Sequence, residues 1–500
     1  MLAHTHSLSL LLTASLLTGC AVGPRYQAPE IPLSAQFLGQ DAVARREAQR
    51  TADLQRWWAS FDDPALTRFV SLALEQNLEL AQAAARVAQS RASLGVAGAA
   101  LLPSGQVSAQ GAKVYQSVES PLGQLLATPD FDRTGSSYEV NVGASWEVDV
   151  FGGLRREREA ARAEYAASEA GAVATRLAVA AHTAEVYVTI RGWQARLGIA
   201  RQQAETRRQL LALVELLFGK GIAAEFQVSQ AEGALAQVEA QIPVLEAGLE
   251  TAMNALDVLL GVQPGTYRSE LSPATRVPVA PGIVDTGTPA EMIRRRPDLL
   301  MAERRLAAAN ARIGVAMAEY YPKLSLGVLL GSATTISSGN LLTNGANQAL
   351  GILGLRWRLF DFGRVDAQIA AARGQEAEAL AAYRLAVLRA TEDVENAFAA
   401  LVKREAQVGI LTQGESALAR ARESTDAAYR GGVVSLIEVL DADSNLLQIR
   451  DAKAQAQTEV ARAAIASFRA LGGGWDARPP GGAPTATQDE ARFQLESIPY

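Results

Sequence analysis

Cysteine and histidine are almost missing from this 500-residue chain, which contains one cysteine and three histidines. Cys20 cannot form a disulfide within the chain, and so few thiols and imidazoles cannot build a Cys/His zinc site. The sequence also lacks a Walker A loop, a GxGxxG fingerprint, a GxSxG elbow and an HExxH motif. A net charge of −6 gives no reason to expect nucleic acid as a partner. We therefore expect no enzyme, no metal and no other cofactor.

Long apolar runs are missing too. Residues 8–17 form a short apolar segment that leads into Leu-Thr-Gly-Cys at 17–20. This pattern is similar to the bacterial lipoprotein signal, in which the cysteine becomes the lipidated first residue, here Cys20. The alternative is an ordinary signal peptide that ends near a cysteine, and the absence of Lys and Arg before the apolar segment departs from the usual pattern. After residue 20 no run reaches the 18 or so apolar residues of a membrane helix.

The chain contains an internal duplication. Residues 92–103 align with residues 311–322 at a spacing of 219. Further on, Trp146 aligns with Trp357 and Gly221 with Gly432, both at a spacing of 211. The change in spacing falls between Pro103 and Trp146, which indicates a longer surface loop in the first copy. Each copy is predicted as helix, strand, strand, helix, helix. The predicted ranges are 78–101, 106–115, 138–150, 154–218 and about 225–260 in the first copy, and helix from 297, 323–332, 351–360, 365–429 and 436–471 in the second.

Strand 138–150 alternates between apolar and polar residues without interruption, which is typical of a strand whose faces meet different media. Its polar face carries Glu139, Glu147 and Asp149. Four strands cannot close a membrane barrel, and an open sheet edge cannot face lipid. We therefore expect the strands to be completed by other subunits, with the polar face toward the water inside a barrel. A soluble sandwich strand is the alternative.

The predicted helices of about 65 residues would each be roughly 95 Å long. A seam of small and apolar residues along them predicts coiled-coil packing.

Several stretches resemble the TolC-type outer-membrane factors, in their NodT-type lipoprotein branch. They are residues 20–29 (CAVGPRYQAP), 57–80, 294–299 (RRRPDL) and 429–452. The resemblance implies a mainly α-helical fold with a membrane β-barrel. In the implied homotrimer each chain gives four strands to a 12-stranded barrel and long helices to a periplasmic α-barrel. It also implies an outer-membrane efflux duct that engages a periplasmic adaptor and an inner-membrane transporter of the RND type.

The resemblance also implies functional residues at the helical tips. Glu438 and Asp441 match the acidic motif of the narrow periplasmic entrance, although Glu438 also fits a helix cap. Tyr429 matches a position in an interhelical network, while Val434 replaces a basic residue that some relatives use there. In the alignment of the two copies, Gln227 and Gln230 of the first copy are the counterparts of these two acidic residues. The tips expected to contact the adaptor are Gly219, Lys220, Gly221, Arg430, Gly431 and Gly432.

Two other functions are open at this point: an outer-membrane channel for type I protein secretion, and a coiled-coil structural lipoprotein without a channel. The expected location is the outer membrane of a Gram-negative bacterium, with a lipid anchor and helices that extend into the periplasm. The expected divisions are a signal peptide at 1–19, an anchored segment at 20–62, a first repeat at 63–262, a linker at 263–288, a second repeat at 289–473 and a disordered tail at 474–500.

Overall fold

A computed structural model describes residues 21–46, 52–126, 128, 132–283 and 287–475 of the chain. The signal segment, Cys20 and most of the predicted tail lie outside the described residues. The chain divides into two compact units. One is drawn from residues 1–29, 88–167 and 302–383, and the other from residues 30–87, 168–301 and 384–500. Each unit takes segments from both sequence copies, so the copies are interleaved in the fold.

The described elements follow the predicted order in both copies. They are α1 (Gln40–Ala44), a 3-10 helix (Leu54–Phe61), α2 (Pro64–Gln76), α3 (Leu78–Ala99), β1 (Ser104–Tyr115), α4 (Pro121–Leu126), β2 (Thr134–Val148), α5 (Gly153–Gly219), α6 (Glu225–Glu239), α7 (Gln241–Leu259), α8 (Arg268–Leu271), α9 (Pro289–Arg295), α10 (Pro297–Ala318), β3 (Lys323–Thr334), two 3-10 turns (Ser338–Leu342 and Asn344–Ala346), β4 (Asn347–Arg356), α11 (Arg364–Arg430) and α12 (Leu436–Ala470). No described helix combines the length and the apolar character that crossing a membrane requires.

The four strands of the first unit form one antiparallel sheet in the order β1-β2-β3-β4. One face carries large apolar side chains that are largely exposed, among them Val107, Val142, Val328 and Leu353. The other face of β2 carries Glu139, Asn141, Gly143, Ser145 and Glu147. The two-faced strand is therefore as the alternation predicts. An exposed apolar patch of this kind marks contact with a membrane or another protein.

Asp149 is a correction, because the structure ends β2 at Val148 and leaves Asp149 in the turn before α5. Its carboxylate accepts hydrogen bonds from the backbone N–H groups of Leu154 and Arg155, at 3.1 and 2.9 Å. The Arg155 guanidinium also donates to it at 3.2 Å. These bonds satisfy donors that the first turn of a helix leaves free. Asp149 is thus part of a strand-to-helix turn and not of the polar strand face.

The predicted range 351–360 for the last strand is also wrong, since β4 runs from Asn347 to Arg356. Residues 355–359 (LRWRL) alternate between apolar and charged side chains, which is typical of a strand, but the pairing of β4 with β3 ends at Arg356, the partner of Lys323. The side chains of Leu359 and Phe360 are highly exposed beyond the strand. Trp357, also outside the strand, donates its indole N–H to the carbonyl of Tyr320 at 3.0 Å.

The two long helices, α5 and α11, each have 67 residues, which corresponds to about 100 Å. In α11 the predicted seam is buried at Val387, Ala390, Val394 and Leu401. Beyond Arg404 the same seam is only half-buried. The closing helix of the first copy is interrupted at Ala240 between α6 and α7, as the interior proline at position 243 predicts. The closing helix of the second copy, α12, continues for 35 residues without a break.

An aromatic cluster anchors the start of the second unit to the end of α12. Trp57 stacks on Phe468 with ring centroids 5.6 Å apart, and Phe61 meets the same ring edge-on. Asp63 caps α2 by accepting from the N–H groups of Ala65 and Leu66, at 2.9 and 3.0 Å. Burial of several aromatic rings in one cluster is a large hydrophobic contribution to stability. The segment before the first repeat is therefore part of the core of this unit.

Candidate functional site: the helical tips

The first tip is the turn between α5 and α6. Gly219 is the last residue of α5, Lys220 follows it, and Gly221 has a φ of +70°. The N–H of Ile222 donates to the carbonyl of Leu217 at 2.9 Å, and the N–H of Gly221 donates to the carbonyl three residues before it at 2.8 Å. These two bonds form a Schellman motif, which satisfies carbonyls that a helix end leaves free.

The second tip has the same backbone. Arg430 ends α11, Gly431 follows, and Gly432 has a φ of +73°. The N–H of Val433 donates to the carbonyl of Ala428 at 2.9 Å, and the N–H of Gly432 donates to the carbonyl three residues before it, also at 2.9 Å. Both copies of the duplicated unit thus end their long helix with one and the same glycine motif.

Each tip glycine is required by its dihedral angle and not by crowding. A Cβ atom built on Gly221 or Gly432 would meet no heavy atom within 4 Å, but both residues have positive φ, which side chains disfavour. The residue after each glycine is apolar and largely exposed, with Ile222 at 71% and Val433 at 79%. Open space and exposed apolar side chains at both tips fit a contact with another protein.

Glu438 functions as a helix cap in this structure. Its carboxylate accepts hydrogen bonds from the backbone N–H of Ser435, at 2.9 Å, and from the Ser435 hydroxyl. These bonds, and above all the one from the hydroxyl, lower the pKa of Glu438. The first copy uses the same geometry with an uncharged group, since Gln227 Oε1 accepts from the N–H of Ala224 at 2.9 Å. The charge of Glu438 is thus not needed to form the cap.

Asp441 lies one turn further along α12 and is exposed. Among the described residues it has neither a hydrogen-bond donor to its carboxylate nor an ion-pair partner. Its counterpart Gln230 differs in environment, because the side-chain carbonyl of Gln230 is buried and has no hydrogen-bond partner. Of the acidic pair expected from the resemblance, Asp441 is therefore the carboxylate that has no partner among the described residues.

Tyr429 packs its ring against an apolar cluster below the tips. The buried members of this cluster are Leu210, Val214, Ala231, Leu436, Val439 and Leu440. Burial raises the pKa of the Tyr429 hydroxyl. Its backbone carbonyl accepts the N–H of Gly432 in the Schellman motif. The described residues give its side chain a packing contact in place of the interhelical hydrogen-bond network that the resemblance implies.

A buried charged cluster lies beside these apolar residues. Asp443 on α12 is only 1% exposed, and the Nε of Arg422 on α11 donates to its Oδ1 at 2.9 Å. Arg207 on α5 is 4% exposed and donates from Nη1 to the carbonyl of Ala234 on α6 at 3.3 Å. Burial lowers the pKa of Arg207, and the negative charge of Asp443 opposes that shift. We call Arg207, Arg422 and Asp443 the charged hub.

Arg207 belongs to the first helical hairpin of the chain and the other two residues to the second. The attraction between Arg207 and Asp443 therefore acts across the two hairpins, although no ion pair within 4 Å connects them. Four buried polar atoms in and around it lack a hydrogen-bond partner: Gln203 Nε2, Arg207 Nε, Gln230 Oε1 and Asp443 Oδ2. A second apolar layer contains Ala204, Val238 and Leu447. Removing one charge from such a buried set leaves the others uncompensated, which is costly.

Sequence reasoning missed the charged hub, although one signal for it was present. Along α12 the buried apolar residues recur at Leu436, Val439, Leu440, Leu446 and Leu447, and Asp443 occupies the same helical stripe. An acidic residue on an apolar stripe indicates a buried and paired carboxylate. Arg207 gives no such signal, because it lies in an ordinary polar stretch next to Arg208.

The described chain begins at the junction between β2 and α5. The N–H of Val22 donates to the carbonyl of Phe151 at 3.1 Å, and Arg156 donates from Nε to the carbonyl of Val22 at 3.0 Å. A Cβ atom on Gly152 would lie 2.7 Å from the Cα of Ala21. The chain immediately after Cys20 is therefore held tightly where the sheet meets the long helices.

The two-faced sheet, the duplicated long helices and the glycine tips together define a TolC-like outer-membrane channel. The sequence model described as "outer membrane efflux protein" matches residues 69–262 and 288–473. The chain belongs to this outer membrane efflux protein family. The family is a transport family and not an enzyme family, and its relatives are proteins of the Gram-negative outer membrane.

Characterised relatives match over nearly their whole length. The pyoverdine export outer membrane protein OpmQ of Pseudomonas putida is 32% identical over 448 residues, covering 88% of this chain and 93% of that protein. The outer membrane protein OprJ of Pseudomonas aeruginosa is 32% identical over 475 residues, covering 94% and 96%. Nodulation protein T of Rhizobium leguminosarum bv. trifolii is 29% identical over 471 residues, covering 92% and 96%.

Solved structures agree with this assignment. The outer-membrane channel OprN superposes with a TM-score of 0.83 at 31% identity, over 91% of this chain and all of that chain. The open state of the MtrE outer membrane channel of Neisseria gonorrhoeae gives a TM-score of 0.77 at 25% identity, over 92% and 99%. The predicted TolC-like fold and the predicted class of efflux channel are confirmed.

Proposed function

We propose that the chain is the exit duct of a tripartite efflux pump, through which small molecules cross the outer membrane. The observation that carries this proposal is the sheet, which has one exposed apolar face, an opposite face that is polar along β1 and β2, and two unpaired edge strands, β1 and β4. Unpaired edges cannot face lipid, so the sheet needs further strands. Three chains would close a 12-stranded β-barrel, with the apolar face toward lipid and the polar face toward water.

Cys20 is the proposed lipid attachment site, carrying palmitate among its acyl chains. The support is the position of Ala21, which is packed against Gly152 at the end of the sheet. An acyl chain on the preceding residue would then start where the sheet leaves the membrane. Mass spectrometry of the mature N-terminal peptide tests this, and an unmodified Cys20 or cleavage at another position contradicts it.

The proposed partners follow from the exposed tips of the two helical hairpins. A periplasmic adaptor would contact the glycine tips, where Ile222 and Val433 are exposed, and through it an inner-membrane transporter of the RND type would deliver the solute. The proposed entrance is a ring of three Asp441 carboxylates, one from each subunit. Like carboxylates held close together attract cations and resist full ionisation.

The test combines native mass measurement with conductance recordings of the full-length protein in planar bilayers. We expect a trimer that conducts ions, with block by multivalent cations that the Asp441→Asn variant weakens. The matched control is Glu232→Gln, which removes an exposed carboxylate from the first hairpin. A stable monomer, or a trimer without conductance, would contradict the exit duct. Unchanged cation block in Asp441→Asn would contradict only the entrance ring.

A further inference from the structure

The sheet contains one unusual residue, Asn141. Of the residues in the four described strands it is the single buried one, with 4% of its surface exposed. A polar side chain in that position must be hydrogen-bonded, because burial without a partner costs free energy. Asn141 donates from Nδ2 to the carboxylate of Glu139, and its Oδ1 accepts from Gln348 Nε2 at 2.8 Å. The same Gln348 nitrogen lies 3.2 Å from Glu139 Oε1.

These three side chains, which we call the amide clamp, span three strands. Asn141 on β2 pairs with Gly331 on β3, and Gly331 pairs with Gln348 on β4. The side chain of Gln348 therefore has to cross β3 above Gly331 to reach Asn141. A Cβ atom on Gly331 would lie 2.1 Å from Asn141 Oδ1, which the clamp cannot accommodate. The glycine is thus a requirement of the clamp.

The amide clamp holds a carboxylate without a balancing cation. No Lys, Arg or His nitrogen of the described chain lies within 4 Å of Glu139. The opposite end of the same sheet face differs, because Lys323 and Arg356 pair across β3 and β4 just beyond the level of Glu147. Glu139 is near the loop end of the sheet, since its neighbour Tyr138 pairs with Thr334, the last residue of β3.

We propose that Glu139 in its amide clamp is a charge filter at the loop end of the duct, favouring cationic over anionic solutes. The proposal rests on the proposed function, because the polar sheet face must line the water path of a trimer. Three fixed carboxylates, one from each subunit, would then concentrate cations at the outer mouth. Two amide donors per carboxylate hold each charge in one place without neutralising it.

The test is the reversal potential of full-length trimers in planar bilayers under a potassium chloride gradient. Glu139→Gln removes the charge and keeps the shape of the side chain, so the ratio of cation to anion permeability should fall by at least about twofold. The matched control is Glu147→Gln, on the same face but near Lys323 and Arg356, where the change should be smaller. Gln348→Leu removes one donor and keeps the charge, and should fall between wild type and Glu139→Gln.

A second variant leaves Glu139 intact. Ala333 pairs with Glu139 on the neighbouring strand, so Ala333→Lys places a cation beside the carboxylate and should lower the permeability ratio as Glu139→Gln does. An unchanged ratio in trimers of either variant overturns the charge filter. If Asp441→Asn alone changes the ratio, selectivity belongs to the periplasmic entrance. A wild-type protein that forms no conducting trimer would instead contradict the proposed function.

Discussion

The first and second helical hairpins of this chain have the same backbone at their tips and different chemistry around it. Both end the long helix with a Schellman motif, at Gly221 and Gly432, and both start the closing helix with a side chain that caps its own N-terminus. The capping group is an amide in Gln227 and a carboxylate in Glu438. The duplication has thus preserved the turn, which is fixed by dihedral angles, while the charges on it diverged.

The closing helices differ in continuity as well. The first is interrupted at Ala240, since Pro243 has no N–H to donate to the carbonyl of Glu239 four residues earlier. Beside the interruption lies a cavity of about 300 Å³, lined in part by the ion pair of Arg196 with Asp451, whose closest atoms are 2.7 Å apart. The second closing helix has no such break. The proline thus explains why two copies with the same tip differ along their closing helices.

The largest effect is expected where the two hairpins share the charged hub. Asp443→Ala should destabilise the protein by about 3–5 kcal/mol, because it leaves the buried Arg207 and its neighbour Arg422 without the carboxylate that attracts both. The midpoint of thermal unfolding in detergent, followed by circular dichroism, measures this. The control is Glu232→Ala at the repeat counterpart of Asp443, which is exposed and should cost less than about 0.5 kcal/mol.

A double variant separates charge from packing at the hub. The repeat counterpart of Arg207 is Leu418, so the fold already accommodates leucine at this level of the other long helix. Arg207→Leu combined with Asp443→Leu should recover most of the stability that Asp443→Ala loses, because it removes the two buried charges together and leaves only Arg422, whose side chain is 30% exposed and can be hydrated. If Asp443→Ala were as mild as Glu232→Ala, the hub would not be what joins the hairpins.

The glycine tips should show an intermediate effect. Gly432→Val forces a β-branched residue into a left-handed conformation, at a cost of about 1–2 kcal/mol. We expect the trimer to remain in the membrane while efflux, measured as drug susceptibility of a strain that depends on this duct, is impaired. Gly431→Ala is the control, since its φ is not positive and its Cβ would make only ordinary contacts at 3.5 Å.

The variant Gly221→Val tests whether the two tips contribute equally to efflux. Their backbones are the same, so equal loss of efflux would indicate that a partner contacts both hairpins alike. Loss only at Gly432 would instead point to the second tip, with its acidic residues, as the sensitive one. Parallel loss of trimer and efflux in either variant would reveal a folding defect.

The long helices could be predicted to within one or two residues because their apolar spacing is regular over many turns, as at Val387, Val394 and Leu401. The prediction for the last strand was displaced by four residues, because the alternating residues 355–359 indicated a strand that continues beyond Arg356, where the pairing with β3 ends. The cap function of Glu438 was open from sequence, because a capping box and an acidic entrance use the same residue type. The partners within the charged hub and the amide clamp lie on distant segments, so no local pattern gives them, although Asp443 on the apolar stripe of α12 does indicate a buried carboxylate.

The smallest effect is expected from exchanging the two caps. The pKa of Glu438 is lower in the folded protein than its ordinary value of 4.5, so its contribution to stability is present above that value and is lost as the pH falls through the lowered pKa. Glu438→Gln should therefore match wild type near neutral pH, as Gln227 caps the first hairpin, and lose less stability in acid. The reverse exchange, Gln227→Glu, should add an acid-sensitive step. The test is the midpoint of thermal unfolding of each variant, measured across this pH range. If wild type and Glu438→Gln lost the same stability in acid, the ionisation of Glu438 would make no contribution to the stability of the cap.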